Sequence, residues 1–160
     1  MIEQRARENS NLPVLHSFST TFYPKLLTTK GSLHHWTRNV NIFDNQLILW
    51  PIHTPGHWSL VVLHMQSGTL KLLDSYRADR RVLENVLTFC KKEWRLKMSE
   101  PIPNWQTSIE HVPKQENRTD CGVFLCHFAE CLSRRASITP ADMSKYRRII
   151  AHEIVSGKLL

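Results

Sequence analysis

The chain has 160 residues, 41% apolar and 22% charged, with a net charge of +7. That length holds one compact domain with a real core and scarcely two, and the composition is not that of a disordered tail. No apolar run approaches the roughly 18–20 residues a bilayer span needs, and the opening MIEQRARENSN is too polar for the apolar segment of a secretory signal.

Residues 1–9 read as the tail of a helix, stopped before Asn9, Asn11 and Pro13. From Leu15 to Leu27 the pattern is mixed, with a short helix around Thr20–Leu27. NQLILWPIH (45–53) is a continuous apolar run with β-branched and aromatic members, which predicts a buried strand. HWSLVVLHMQSGTLKLLDSY (57–76) predicts a hairpin: Val61–Leu63 in one strand, a turn at Gln66-Ser67-Gly68, and Leu70–Asp74 returning. In RRVLENVLTFCKKEWRLK (80–97), Val82, Val86, Phe89 and Cys90 fall at helical intervals on one face. Pro101 and Pro103 follow, then WQTSIEHV (105–112) as a further strand. RTDCGVFLCHFAECL (118–132) reads as a helix opening at Cys121, with Asp120 or Thr119 as its N-cap. After a break at Ser137–Pro140, a last helix is expected over Asp142–Val155, and Thr139-Pro140 fits an N-cap followed by proline at the first helical position. There is no internal repeat or linker, so one α+β domain over 1–160 is expected, a small sheet flanked by helices.

The charge balance favours an acidic partner. The basic residues are scattered, however, in small groups at Arg77/Arg80/Arg81, Lys91/Lys92, Arg134/Arg135 and Arg147/Arg148. No zinc-finger, basic-zipper or RNA-binding signature accompanies them, so nucleic acid is not the expected ligand. The four cysteines, at 90, 121, 126 and 131, are expected as reduced thiols in a nuclear or cytosolic protein. The spacing of Cys126 and Cys131 suits neither a CxxC redox pair nor a tetrahedral zinc site, and no metal is expected.

Cys121 has the setting of a nucleophile. The start of a helix lowers a thiol's pKa, and Gly122 beside it carries no side chain to crowd a substrate. A thiol of this kind needs a base and a group to orient that base. The hairpin brings His57, at the entry of one strand, to the same end as Asp74, at the exit of the next. A turn centred near Ser67 sets position 57 opposite about position 77, so Asp74 stands about three residues off the pairing. His53 and His64 are rivals of His57. Gln115, in the loop PKQENRTDC, could add a side-chain amide to the backbone N–H donors that an oxyanion requires. Trp58 follows His57 and points to the opposite face of its strand, where it could roof a slot or simply pack in the core.

G-H-W-S-L (56–60), L-L-D-S-Y (72–76) and Q-x5-C-G (115–122), in that order, resemble the SUMO-specific (sentrin/Ulp-type) cysteine proteases. The likeness runs from about Leu15 to the C-terminus and includes HWTRNVNIFDNQLILWPIH (35–53) and KYRRIIAHEI (145–154). Cathepsin-type enzymes place the cysteine first, so the order His, Asp, Gln, Cys is distinctive. The resemblance implies a papain-like fold of the Ulp type with His57 as base, Asp74 as its orienter, Cys121 as nucleophile and Gln115 as oxyanion donor. It implies Trp58 as one wall of a tunnel for the modifier's terminal Gly-Gly, and His53 near its mouth. Arg77, Arg80 and Arg81 are candidates to meet an acidic face of the modifier. It further implies a monomer without cofactor, whose partners are SUMO and SUMO-conjugated proteins. Relatives of the same fold act on the NEDD-type modifier or on ubiquitin, and some bacterial effectors transfer acetyl groups. Members of the family carry a W-L-N-D-type motif upstream that supplies the second wall. This sequence opens at the end of that helix, so a domain shortened at its N-terminus is expected, active or reduced to SUMO binding.

Overall fold

The computed structural model describes residues 1–29 and 33–159. Its centre is a five-stranded mixed sheet in the order β1-β2-β3-β4-β5. The strands are β1 (Leu15–Ser17), β2 (Leu47–Thr54), β3 (His57–His64), β4 (Thr69–Leu73) and β5 (Gln106–Ile109). The β2-β3-β4 meander is antiparallel, while β1 joins β2 and β5 joins β4 in parallel. Among the described residues five α-helices flank it: α1 (Ile2–Glu8), α2 (Phe22–Thr28), α3 (Arg80–Lys97), α4 (Cys121–Ser133) and α5 (Met143–Ser156). The α+β class, with a small mixed sheet between helices, is thus the one the sequence predicts.

The period-two alternation of the strands divides the interior in two. Ile48, Trp50 and Ile52 of β2, Val61 and Leu63 of β3, and Leu70 and Leu72 of β4 pack against α2 and α3. The intervening Leu47, Leu49, Leu60, Val62 and Leu73 meet Val123, Phe124 and Phe128 of α4, with Met143 of α5 and Ala6 of α1 beyond. β2 and β3 are buried through their middles on both faces, which is why their sequences read as apolar runs rather than alternating ones. Pro51 lies beyond Leu49, where β1 has ended and β2 has become an edge that tolerates a missing donor.

α3 has the predicted bounds. Asp79 caps it by accepting from the Arg81 N–H, and Val82, Val86, Phe89 and Cys90 form its buried face. Elsewhere the structure departs from expectation. The short β1 pairs with β2 some thirty residues on and leaves no local signature. The strand predicted over 105–112 shortens to Gln106–Ile109, with Trp105 before it buried against Phe43 and Trp94 rather than paired. α5 is not capped by Thr139-Pro140. The Thr139 carbonyl accepts from His127 Nε2 and fixes the connector to α4, while Asp142 caps the helix by accepting from the Lys145 N–H.

Candidate active site

The hairpin carries the first two candidate groups. β3 and β4 pair from His64↔Thr69 to Leu60↔Leu73, and that register continued to the start of β3 would set His57 across from Tyr76. Asp74, the first residue past β4, is therefore offset along the sheet, and the imidazole reaches it. His57 Nε2 lies 3.0 Å from Asp74 Oδ1 and 2.9 Å from Oδ2. Only 3% of the Asp74 side chain is exposed, so this is no solvated surface pair. The carboxylate also accepts from the Tyr76 N–H at 2.8 Å, and the Asp74 carbonyl accepts from Lys114 Nζ at 2.8 Å. A carboxylate can only accept, so Nε2 carries a proton; in the neutral ring Nδ1 is then the free base.

The thiol arrives on a separate element. Cys121 is the first residue of α4, which packs across β3. Its backbone meets the strand close to His57: a Cβ built on Gly122 would lie 3.7 Å from Cδ1 of Trp58. Cys121 and His57 are the residues immediately before the two partners of that contact. The Cys121 residue is 6% exposed at the head of a 13-residue helix, where the first N–H groups, left without intrahelical partners, can meet a developing oxyanion. Trp58 itself stacks on its cross-strand partner His53, ring centroids 4.3 Å apart, and His53 is exposed at the rim.

Asp120 occupies the N-cap position, as the sequence predicts, yet its side chain does not cap the helix. The carboxylate accepts from Asn117 Nδ2 at 2.7 Å and from Arg147 of α5. Those contacts, Asn117's first, hold its pKa below the ordinary carboxylate value. Gln115 is tied down as well. Its Oε1 accepts from Ser75 Oγ at 2.7 Å, and its Nε2 donates to the Asn117 carbonyl at 2.6 Å, leaving one amide N–H over.

Sequence reasoning misses Ser75, Asn117 and Arg147. Ser75 is buried and holds Gln115 twice, since its carbonyl also accepts from the Gln115 N–H at 2.8 Å. The only hint of it is its place directly after Asp74. The rival His64 is at the far end of β3. Burial holds the Cys90 thiol well above its ordinary pKa and likewise raises Cys131, so neither is an activated thiol. Among the described residues no group of histidines, cysteines and carboxylates could hold a metal ion.

A carboxylate-oriented imidazole at the head of β3, with a cysteine in the first turn of the helix that packs on the neighbouring Trp58, carries the parts of a thiol-protease catalytic domain. Residues 1–159 match the Ulp1 protease family, C-terminal catalytic domain, and the chain belongs to that family. Over 157 residues it is 36% identical to sentrin-specific protease 2 of Mus musculus, covering 92% of this chain and 27% of that protein. The chain thus spans about a quarter of the length of the curated relatives it matches. Its fold matches the Chaetomium thermophilum Ulp1-like SUMO protease catalytic domain with a TM-score of 0.77 at 26% identity, over 98% of this chain and 67% of that one. It also matches the C-terminal Ulp1 protease domain in complex with Smt3, the yeast ortholog of SUMO, with a TM-score of 0.74 at 22% identity, over 97% and 74%.

Proposed function

We propose that this chain is the catalytic portion of a thiol protease that cleaves after the C-terminal Gly-Gly of SUMO. It would release SUMO from lysine side chains and trim its precursor, acting as a monomer in the nucleus or cytosol. The observation that carries the reading is the buried Asp74 carboxylate spanning both distances to His57 Nε2. That contact frees Nδ1 to take the Cys121 proton. The thiolate attacks the glycine carbonyl carbon, and the oxyanion draws on the first N–H groups of α4 and the remaining amide N–H of Gln115. The imidazolium then protonates the departing lysine amine, and water hydrolyses the thioester with His57 again as base. A cysteine 6% exposed, with the Trp58 indole at the adjoining glycine, suits a thin tail without side chains. The relatives named sentrin-specific proteases and the fold's likeness to the Smt3-bound domain support SUMO as the modifier.

The test is labelling with SUMO carrying a C-terminal vinyl sulfone, beside ubiquitin and NEDD-type versions, against Cys121→Ala. A SUMO adduct lost in the variant is expected. An adduct only with another modifier would overturn the substrate. No adduct from a chain that binds SUMO would leave a binding module in place of an enzyme.

A further inference from the structure

The loop from Pro113 to Asp120 brings the proposed nucleophile to its place, and it is weakly packed from beneath. A cleft of about 360 Å3 lies between it and the connector into α5, bordered by Lys114, Asn117, Asp120, Phe124, Pro140 and Met143. A row of hydrogen bonds fixes the loop. Ser75 holds Gln115, Gln115 holds the Asn117 carbonyl, and Asn117 Oδ1 accepts from the N–H groups of Thr119 at 2.9 Å and Asp120 at 3.0 Å. Asn117 Nδ2 then meets one oxygen of Asp120, and Arg147 meets the other. Arg147 stands on a helix that is itself seated, since Tyr146 packs edge-on against His127 of α4 with centroids 5.0 Å apart.

We propose that Arg147 is a positioning residue for Cys121, which it serves by holding and neutralising the carboxylate of Asp120. Two consequences follow from the chemistry. Without Arg147, Asn117 Nδ2 alone would hold Asp120, leaving the carboxylate freer to turn inward and cap α4, where it would occupy N–H groups that an oxyanion needs. The loss would also set a bare negative charge one residue from the sulfur, where it opposes the thiolate. Arg147 prevents both from outside the site, without touching substrate. The inference rests on Cys121 being the nucleophile, and its test separates the two claims.

The experiment follows iodoacetamide alkylation of the folded 160-residue chain at neutral pH, with each cysteine quantified by mass spectrometry and Cys126 as internal reference. Cys126, exposed on the same helix, gives the rate of an accessible thiol, and a general loosening of α4 would show as faster alkylation of the buried Cys131. Arg147→Met is expected to slow alkylation of Cys121 about fivefold, the upper end for a half-exposed ion pair, and to leave Cys126 unchanged. Arg147→Lys should keep most of the rate. Adding Asp120→Asn to Arg147→Met should return Cys121 to within about twofold of the unaltered chain, because the charge to be neutralised is gone. A purely structural arginine would not be rescued by removing its partner. An unchanged rate in Arg147→Met, or no recovery in the double variant, overturns the role of Arg147. Cys121 reacting no faster than Cys126 in the unaltered chain would overturn the nucleophile itself, and this inference with it.

Discussion

At the scale of single residues, the site turns on which proton His57 carries. Asp74 faces Nε2 with both oxygens and uses Oδ1 for the Tyr76 N–H as well. Replacing it with asparagine keeps the shape and changes the chemistry. The amide oxygen takes the Oδ1 position to satisfy Tyr76, and the amide NH2 then points at Nε2 from the Oδ2 position. Nε2 has to become an acceptor, the proton moves to Nδ1, and the ring cannot receive the thiol's proton. Asp74→Asn is therefore expected to fold normally and to lower kcat on a SUMO-linked substrate by about a thousandfold or more, with little change in KM. Steady-state kinetics beside a melting curve checks it. A loss confined to KM would place Asp74 in binding rather than in base orientation. The backbone anchors of this residue explain why it can be so exacting: Tyr76 and Lys114 fix it from either side, and neither role is visible in the sequence.

At the scale of elements, the placing of Cys121 depends on how firmly α4 is seated. Phe128, 1% exposed, stands two turns along the helix from Cys121 and packs in the cluster with Leu60 and Val62 of β3. Phe128→Ala leaves a cavity under the helix, and a cost of about 3–5 kcal/mol is expected by urea denaturation. A cost under about 1 kcal/mol would mean that the helix is held chiefly by its ends. The elements also differ in how plainly the amino-acid sequence declares them. α3 is legible to the residue, because its cap and apolar spacing are local and agree. The hairpin is legible because a Gly-containing turn separates two apolar runs. β1 is not, since three residues gain strand geometry only from a parallel neighbour far along the chain. The α5 cap is ambiguous because Thr139-Pro140 and Asp142 offer similar local signals, and the contact of His127 with the Thr139 carbonyl decides between them. In the site, residue types and order point to His57, Asp74 and Cys121. The turning of the Asp120 side chain away from its own helix accompanies two contacts, with Asn117 in the preceding loop and with Arg147 on another element, and the second is invisible in local sequence.

At the scale of the whole molecule, two histidines far from the site tie stability to pH. His16 on β1 and His64 at the end of β3 both have pKa values held below the ordinary 6.5, each chiefly by burial. For His64 the neighbouring Lys71 pushes the same way and Glu110 opposes; for His16, Glu3 opposes and Arg7 adds a smaller push. Nε2 of His64 is buried without a hydrogen-bond partner, so protonating it would add an N–H with no acceptor. A depressed histidine pKa means that the unfolded chain binds the proton more readily than the folded one. Stability therefore rises with pH through the interval between the folded value and 6.5, and is fully restored above it. The carboxylates held low, Asp79, Asp120 and Glu130, have ordinary values of 3.8 to 4.5 and act at lower pH, so they leave the window from about pH 5 to 7 to histidines. The urea midpoint of the unaltered chain is expected to fall as pH drops from about 7 to about 5, and that of His16→Gln/His64→Gln to fall less steeply over the same range. Equal slopes would mean that both rings take up their proton in the folded protein without penalty, so that the buried Nε2 of His64 must reach water or an acceptor once charged. His57, paired with Asp74 at the opposite end of β3, is retained in both chains, so the comparison isolates the two half-buried rings from it.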